Sequence, residues 1–333
     1  MTSDGATAVQ ASTSSLEPRA LTHIAVIVIT YRRPSGLTKL LAALRDQRLE
    51  DGERDVRLTV LVVDNDKEES GREVVLQFAS APLLDFRYIV EPRQGIPLAR
   101  NSGISNVPAE AEFLCFIDDD EWPPVTWISE LLKTQRATGA DCIHGAVIPV
   151  YPPETPVWLI KSRLFESWRF SDQARLKAAA SNNVLVSTAF MRRTGHLFDE
   201  RMRMTGGSDY LFFRQAIALG MYIAWSDKAP VYEAVPPSRT TWRWILRRQY
   251  RLGNTFSLSE RIAGSPWTVM FSAIKGVARM SLGAIMLPTI PFSPHYGMRS
   301  IVHLVRGAGI FVGALGHTMN EYSPQGLAKD RAD

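Results

Sequence analysis

Short apolar runs that end in polar loops recur along the first 150 residues, and they constrain the fold most strongly. Residues 24–29 form an unbroken apolar run of mostly β-branched side chains, the pattern of a strand covered on both faces. After a polar break, leucines at positions 37, 40, 41 and 44 follow the spacing of a helix with one buried stripe. A buried strand, a polar loop and an amphipathic helix are the first half of a βαβ unit.

This pattern repeats, which predicts an α/β fold with a mostly parallel central sheet flanked by helices. Further strands are predicted at residues 58–63, 86–90, 113–117, 142–148 and 222–225, and helices near residues 74–78, 98–104 and 127–132 and from residue 209. Ligands of open parallel sheets bind beyond the carboxyl ends of the strands. We therefore expect the polar residues that follow these strands to form the functional site.

The composition excludes a disordered chain and a disulfide scaffold. The 333 residues are 45% hydrophobic and 22% charged, which suits one large α/β domain with an appendage. The two cysteines, Cys115 and Cys142, lie in apolar runs and are expected to be buried. Residues 1–21 lack the basic and apolar segments of a secretory signal, so we expect a disordered tail on a cytoplasmic protein.

Four consecutive acids, residues 118–121, follow the strand predicted at 113–117. Like charges this close raise one another's pKa values, so a partner must offset their repulsion. Mg²⁺ or Mn²⁺ can do so with one or two carboxylates and the phosphates of a substrate. Arg33, Arg93 and Arg100 lie near the same edge and suit an anionic ligand. A solvated acidic loop with surface arginines is the alternative, but an anionic ligand with a metal explains both charge groups together.

Five motifs together resemble family 2 glycosyltransferases in their order and spacing. They are TYRRP at 30–34, VDND at 63–66, EPRQGIPLARN at 91–101, FIDDDE at 116–121 and GGSDYLFFR at 206–214. The resemblance covers roughly residues 22–254 and is strongest to bacterial exopolysaccharide transferases of the succinoglycan-biosynthesis type. It implies a GT-A fold and an inverting transfer of sugar from a nucleotide-diphosphate donor, with a UDP-sugar as the default.

The resemblance also implies which residues hold the donor. Asp64 and the backbone of Thr30 and Tyr31 correspond to the family's nucleoside-binding positions. Arg33 and Asp119 are predicted to belong to the same donor site.

A second set of residues corresponds to the diphosphate and metal positions of the family. Asp118 is expected to lie near the ribose and the metal. Asp120 is expected to ligate the metal, and Arg100 to contact the diphosphate. Glu233 is either a third metal ligand or a structural acid. On this interpretation the cofactor is Mg²⁺ or Mn²⁺.

Inverting transfer needs a base that takes the proton of the acceptor hydroxyl. Asp209 is the candidate, because it lies in the first turn of a predicted helix, where the helix dipole favours an ionised carboxylate. An aspartate that only caps the helix is the alternative, and the family motif favours the base. Relatives usually carry Glu before the base, whereas this chain has Ser208, which puts the contacts of that Glu in doubt.

Residues 239–333 are predicted as a helical region appended to a catalytic domain of residues 22–238. Four arginines with a spacing of four residues predict a positive ridge on one helix, facing the diphosphate, acidic side chains or anionic lipids: Arg239, Arg243, Arg247 and Arg251. Apolar residues dominate from 266 to 315, but interrupting charges leave no stretch expected to cross a bilayer. We expect helices in the membrane surface; a helical subdomain packed on the sheet, or a dimer interface, is the alternative.

These patterns predict a transferase that moves sugar to a lipid-linked or polysaccharide acceptor in bacterial exopolysaccharide synthesis. It would act at the cytoplasmic face of the inner membrane. A sugar nucleotidyltransferase remains a rival, although TYRRP stands where such enzymes carry a glycine-rich loop. A non-catalytic membrane-bound scaffold is the second rival. Nucleic-acid binding is not expected, since no nucleic-acid motif accompanies the arginines and the net charge is only +4.

Overall fold

The structure is a computed structural model, and it describes residues 21–48, 55–78, 84–166 and 169–320. The predicted tail at residues 1–21 lies outside the described residues except for Leu21. Residues 321–333, the end of the predicted C-terminal region, also lie outside them.

The first half of the fold alternates strands and helices, as predicted. Its elements are β1 (Leu21–Thr30), α1 (Pro34–Arg45), β2 (Asp55–Asp64), α2 (Arg72–Leu76), β3 (Leu84–Val90), α3 (Ile96–Ser105), β4 (Phe113–Asp118), β5 (Glu121–Trp122), α4 (Trp127–Thr138) and β6 (Cys142–Val150). The four strands β3, β2, β1 and β4 are neighbours in that order and are parallel. Their register aligns Thr30 with Asp64 and Ile29 with Asp118, so the carboxyl ends share one edge of the sheet.

The second half contains shorter strands and longer helices. Its elements are α5 (Val157–Ser162), β7 (Arg175–Leu176), β8 (Val184–Ser187), α6 (Thr188–Thr194), α7 (Ser208–Ala218), β9 (Ile223–Ala234), α8 (Trp242–Ala263), α9 (Pro266–Met286) and α10 (Pro294–Ala314). In the part of the chain that the structure describes, the sheet has nine strands in the order β3-β2-β1-β4-β8-β6-β9-β5, with β7 paired to β9.

The sheet is mixed beyond its parallel N-terminal half. β8 lies between β4 and β6 and is antiparallel to both, and β5 and β7 are antiparallel to β9. The sequence pattern did not predict β5, β7 or β8, because strands of two to four residues are too short to show a periodicity. The α/β class with flanking helices is confirmed.

Two apolar layers cover the two faces of the sheet. Val26 and Val28 of β1 pack in one layer with the predicted leucine stripe of α1, whose four leucines are all fully buried. Ala25 and Ile27 face the other layer, with side chains of α6 and α7. Both cysteines are free and buried, as expected.

The C-terminal helices α8, α9 and α10 pack through glycines that allow close backbone contact. A Cβ added to Gly253 of α8 would lie 2.2 Å from the carbonyl oxygen of Arg306 in α10. A Cβ on Gly307 of α10 would lie 2.7 Å from the carbonyl oxygen of Gly276 in α9. α10 therefore touches both other helices, and a larger side chain at these positions would separate them.

The expectation that no apolar stretch is long enough to cross a bilayer is wrong. By length and composition, the segment Pro266–Thr289 could do so, with a mean hydropathy of 1.4 in its most apolar window and only 17% of that window buried. The prediction counted uninterrupted apolar runs, whereas Lys275 and Arg279 are the only charged residues between positions 266 and 289. Length and composition alone do not decide between a crossing and a surface helix.

The four arginines of the predicted ridge do not share one helix. Arg239 lies in a short 3₁₀ helix, Pro237–Thr240, and α8 begins after Thr241, whose hydroxyl accepts a hydrogen bond from the Trp244 N–H at 3.3 Å. This N-cap lies between Arg239 and the later arginines, so Arg239 precedes the helix that carries them. Arg239 instead faces the sheet edge, 3.5 Å from both Asp120 and Glu233.

Candidate active site

Asp64 ends β2 with its carboxylate fully buried. Its Oδ1 accepts a hydrogen bond from the Asp66 N–H at 3.0 Å, and its Oδ2 accepts from the Gly71 N–H at 2.6 Å and the Tyr88 hydroxyl at 2.8 Å. Three donors from the protein thus engage this side chain, which shapes the loop after β2. Its role toward a nucleoside stays a prediction.

Asn65 connects two loops at the sheet edge, a role that its place in the VDND motif did not reveal. Its Nδ2 donates to the carbonyl oxygens of Glu91 at 2.8 Å and Arg93 at 2.9 Å, and its Oδ1 accepts from the Gly95 N–H at 2.7 Å. Gly95 precedes α3 with φ +148°, outside the range that other residues readily adopt. Asn65 thereby fixes the start of the helix that carries Arg100.

Tyr31 and Arg32 begin the loop after β1. Arg32 has φ +55° and donates from Nε to Oδ2 of Asp66 at 2.7 Å. Tyr31 is half-buried, and its ring centroid lies 5.2 Å from the Arg32 guanidinium. The loops after β1 and β2 are therefore joined at the position predicted for the nucleoside.

Asp119 faces inward from the acidic loop, which consists of residues 118–121. Its Oδ2 accepts a hydrogen bond from the Thr30 hydroxyl at 2.8 Å, and its Oδ1 accepts from Arg33 at 2.9 Å. Burial raises the pKa of Asp119 to about 6, against the opposing effect of Arg33. Thr30, Arg33 and Asp119, all predicted donor-site residues, thus form one connected group.

Asp118 points toward α3 and α7. Its Oδ1 accepts from Arg100 at 3.2 Å, and the Arg100 guanidinium is itself largely buried, 5.3 Å from the ring centroid of Phe198. The surrounding protein raises the pKa of Asp118 by removing water; Arg100 opposes this, and the charges of Asp120 and Asp209 add to it. Phe198 also stacks on Phe212 of α7, with ring centroids 4.1 Å apart, so the helix that carries Asp209 lies beside Arg100.

Asp120 is held between two arginines. Its Oδ2 lies 3.0 Å from Nη1 of Arg33 and 3.5 Å from Nη1 of Arg239. Glu233 of β9 shares Arg239 at 3.5 Å. Burial raises the pKa of Glu233 to about 7, and the charge of Asp120 adds to this effect. Of the three predicted metal-site acids, the structure therefore brings Asp120 and Glu233 together through Arg239, with Asp118 two residues before Asp120 in the same loop.

Glu121 is the acid of this loop that serves the fold. It is 1% exposed; its Oε1 accepts from Asn182 and its Oε2 accepts from the Asp118 N–H, each at 3.1 Å. Burial raises the pKa of Glu121 well above its ordinary value, with Asp118 and Asp120 next in effect. It pairs with Glu233 across β5 and β9 and so fixes the acidic loop to the sheet.

Asp209 lies in the first turn of α7 and is partly exposed. The helix cap is Gly207, with φ +74°, so the alternative that Asp209 is only the N-cap residue is wrong. Its Oδ1 accepts a hydrogen bond from the Tyr210 N–H at 2.8 Å, which leaves Oδ2 for other contacts. Ser208, where relatives usually carry Glu, is 2% exposed and faces the protein interior.

The fit of a divalent cation depends on the carboxylates that the site offers. Within the described ranges, no group of three His, Cys, Asp or Glu side chains is arranged to hold a metal by itself. Mg²⁺ sites commonly use one or two carboxylates and complete their shell with water and substrate phosphates. Asp118 and Asp120 fit that pattern, since both keep exposed surface at the sheet edge. The metal therefore stays a prediction that these residues suit.

Gly36 allows α1 to approach the acidic loop, because a Cβ there would lie 2.5 Å from the Asp119 carbonyl oxygen. We expect Gly36→Ala to displace this loop and lower the free energy of unfolding by about 1–3 kcal/mol. Denaturant unfolding measures that loss, and donor binding should weaken in parallel. Ser35→Ala changes an exposed neighbour in the same turn and should leave both unchanged. Equal stability of the two variants would contradict the close contact.

Comparisons with known proteins agree with this architecture. The profile of "Glycosyl transferase family 2" matches residues 25–197, just over half of the chain. The succinoglycan biosynthesis protein ExoM of Rhizobium meliloti is 29% identical over 303 residues, covering 90% of this chain and 95% of ExoM. The glycosyltransferase AglE of Haloferax volcanii is 30% identical over 132 residues, covering 40% of this chain and 41% of AglE.

Solved structures give the same fold. The crystal structure of S. aureus TarS 1–349 has a TM-score of 0.51 and 18% identity, covering 86% of this chain and 90% of that one. TarS 1–349 has also been solved in complex with UDP and with UDP-GlcNAc. The expected GT-A fold is confirmed. The sugar nucleotidyltransferase alternative gains no support from these relatives.

The family match covers the elements that build the sheet edge. It runs from β1 through the acidic loop to the segment after α6, so it contains the site residues of the loops after β1, β2 and β4 and of α3, whereas Asp209, Glu233 and Arg239 lie beyond it. The parallel strands, the shared edge and the motif order are thus those of one family of enzymes, and the chain belongs to glycosyl transferase family 2.

Proposed function

We propose that this glycosyltransferase moves a sugar from a nucleotide-diphosphate donor to a lipid-linked or polysaccharide acceptor in bacterial exopolysaccharide synthesis. One observation carries the proposal: Arg100, which pairs with Asp118, contacts Phe198, and Phe198 stacks on Phe212 of α7, so the helix that carries Asp209 lies beside the candidate donor-binding acids. The similarity to ExoM supports the pathway class, and the TarS complexes with UDP and UDP-GlcNAc support a UDP-sugar as the first donor to test.

The donor's diphosphate is the group that gains negative charge as the bond to the sugar breaks. Arg33, Arg100 and Arg239 line the acidic loop and offer three positive charges at the carboxyl ends of the strands. Cations already in place stabilise a developing charge more than the ground state, which lowers the barrier. Arg100 is the best fixed of them, since it is largely buried and held by Asp118.

Mg²⁺ or Mn²⁺ is proposed as the cofactor, with Asp118 and Asp120 as its protein ligands. When bound, such a cation neutralises the diphosphate as a Lewis acid. Glu233 lies close enough to Asp120 to share Arg239 and is the further candidate for this site. Arg33 and Arg239 balance the same carboxylates through their ion pairs.

Asp209 is proposed as the general base of an inverting displacement. Its carboxylate would accept the proton of the acceptor hydroxyl while that oxygen attacks the face of the sugar opposite the leaving diphosphate. Asp209 lies in the first turn of α7, and the hydrogen bond from the Tyr210 N–H orients its carboxylate.

The proposed function is tested by incubating the purified protein with Mg²⁺ or Mn²⁺, a panel of nucleotide sugars and a bacterial lipid extract. Release of nucleoside diphosphate that depends on the extract is the expected result. Release of pyrophosphate from nucleoside triphosphates would instead indicate a nucleotidyltransferase. Absence of either product with every donor, from folded protein, would favour the non-catalytic scaffold.

Attachment to the inner-membrane surface is proposed for the C-terminal helices. α9 exposes large apolar side chains along one face, among them Trp267, Phe271, Ile274 and Ile285, each more than half exposed. A crossing would place Lys275 and Arg279 in the hydrocarbon, whereas a helix in the surface keeps them at the level of the headgroups. The surface orientation therefore satisfies both the apolar face and the two charges.

Replacing Trp267 and Phe271 together by glutamine should weaken binding to anionic vesicles by about tenfold or more, because full burial of each side chain contributes roughly 1.5–3 kcal/mol. Co-sedimentation measures the change. Leu219→Gln, at an equally exposed apolar position beside the catalytic sheet, is the matched control and should bind as the natural protein does. Unaltered vesicle binding of the double variant would move the attachment away from α9.

A further inference from the structure

A cavity of about 440 Å³ lies between α8, α9 and α10, and the proposed transfer does not use it. Lys275 and Arg279 of α9 line it from one side, and His303 and Arg306 of α10 from the other. Phe256 of α8 also lines it, with its ring centroid 5.6 Å from the Lys275 ammonium. Three permanent cations and a histidine therefore surround one space.

The helices around this cavity carry almost no negative charge. α9 and α10 contain no Asp or Glu, and the one acid of α8, Glu260, is paired with Arg214 at 3.0 Å. Two donor or acceptor atoms at the cavity, Nε of Arg279 and Nδ1 of His303, are buried with no hydrogen-bond partner among residues 21–48, 55–78, 84–166 and 169–320. Buried polar atoms without partners are costly, so an occupant with oxygen acceptors would stabilise this arrangement.

The cations also repel one another. Burial, together with the nearby charges of Arg279 and Arg248, lowers the pKa of Arg306 to about 10. An anion in the cavity would reverse both effects, since it supplies opposite charge and accepts hydrogen bonds. Arginine recognises phosphate in particular, because its planar fork can donate two parallel hydrogen bonds.

We propose that this cavity binds the phosphate of a membrane lipid headgroup, with the acyl chains lying along the exposed face of α9. The lining residues Ala278 and Leu282 continue that face, because they follow Phe271 and Ile274 at helical spacing. A lipid pairs its phosphate with the cations and covers the apolar side chains with its acyl chains. A free phosphate ion can only pair with the cations. The inference rests on the proposed membrane attachment but not on sugar transfer.

α8 connects the surroundings of the acidic loop with the cavity, because it carries both Trp244, which contacts Arg239, and Phe256, which lines the cavity. The charge of Arg248, also in α8, acts on both Glu233 and Arg306. Its guanidinium lies 5.2 Å from the ring centroid of Trp244, which also contacts Arg239. A lipid phosphate held here would bring the membrane surface close to the sheet edge where transfer is proposed.

The test compares Arg279→Gln/Arg306→Gln with Arg299→Gln, which removes one exposed cation from α10 outside the cavity. The probe is dihexanoyl phosphatidic acid, a water-soluble lipid, and the readouts are thermal shift and calorimetry. We expect it to bind the natural protein and Arg299→Gln and to bind the double variant about tenfold or more weakly. Equal affinity for all three proteins, or no binding to any, would overturn the cavity site.

Two further experiments distinguish a lipid phosphate from free phosphate, and the cavity site from the proposed membrane attachment. Inorganic phosphate should stabilise the natural protein less than the lipid at equal concentration; equal stabilisation would overturn the lipid assignment in favour of a free anion. Phosphatidylcholine vesicles with and without phosphatidylglycerol test the attachment. Binding of the soluble lipid without any vesicle binding would support the cavity site and overturn membrane attachment instead.

Folding of the variants provides an independent check. Without ligand, Arg306→Gln should raise the unfolding midpoint, because it removes a largely desolvated charge that has no acidic partner in the described part of the chain. Lys275→Gln changes an exposed residue at the rim and cannot disrupt the packing, so it should fold normally and still weaken lipid binding. A lower midpoint for Arg306→Gln would contradict the uncompensated charge on which the proposal depends.

Discussion

Asp209→Asn is expected to lower kcat by about 10²–10⁴-fold while the donor still binds with unchanged affinity. The amide keeps the size of the side chain, and its oxygen can still accept the hydrogen bond that Tyr210 donates to Oδ1 at 2.8 Å. It cannot accept the proton of an acceptor hydroxyl. The helix and the donor site therefore stay intact, and only the proposed proton transfer is lost.

The measurement pairs initial rates of nucleoside diphosphate release with donor affinity from calorimetry. Asp85→Asn is the matched control, because Asp85 lies at the start of β3, at the end of the sheet away from the site, and pairs there with Arg87. Its turnover should equal that of the natural protein. If Asp209→Asn also keeps its turnover, Asp209 is not the base. Loss of donor affinity in that variant would instead make Asp209 a donor-binding residue.

The parallel half of the fold could be predicted because its strands are long and covered on both faces. β1, β2 and β4 carry long apolar runs, interrupted only by Thr59 in β2, and such runs mark the part of each strand that is buried on both faces. Parallel neighbours then bring their carboxyl ends to one edge, which places Thr30, Asp64 and Asp118 together without any knowledge of side-chain contacts. The location of the site therefore followed from the sequence.

The individual partners of the acids could not be predicted, because they depend on distant elements. Glu121 looks equivalent to its three neighbours in sequence, yet its pairing with Glu233 of β9 turns it inward and buries it. Arg239 appeared to continue a helical ridge, yet a break at Thr241 directs it to Asp120. Both outcomes are set by contacts between residues more than one hundred positions apart, which no local periodicity records.

The C-terminal helices show a different limit of sequence reasoning. The spacing of apolar residues in α9 predicted a helix. Which face of that helix is exposed depends on its packing, and the packing depends on glycines such as Gly276 and Gly307. The charges that seemed only to interrupt apolar runs, Lys275 and Arg279, line a common cavity with residues of α10. Their grouping requires the position of one helix against another.

Asp120→Asn is expected to lower kcat/KM by about 10²–10³-fold and to abolish the response of activity to added Mg²⁺ or Mn²⁺, since removing one preorganised group that stabilises transition-state charge costs about this much. Asp120 is the proposed ligand with the most direct access to both cationic partners, Arg33 and Arg239. The amide retains their hydrogen bonds but loses the charge that a divalent cation requires. Activity after chelation and metal restoration is the measurement.

Asp119→Asn separates metal binding from the general cost of changing this loop. Asp119 is buried against Thr30 and Arg33, so its amide variant should lose some stability and activity but should regain activity when metal is restored after chelation. Asp120→Asn should not regain it, because its side chain lies more exposed at the sheet edge, where the diphosphate is expected. An equal metal response in both variants would exclude Asp120 as a ligand. Activity of the natural protein that survives chelation would exclude the metal itself, and the three arginines would then stabilise the leaving diphosphate alone.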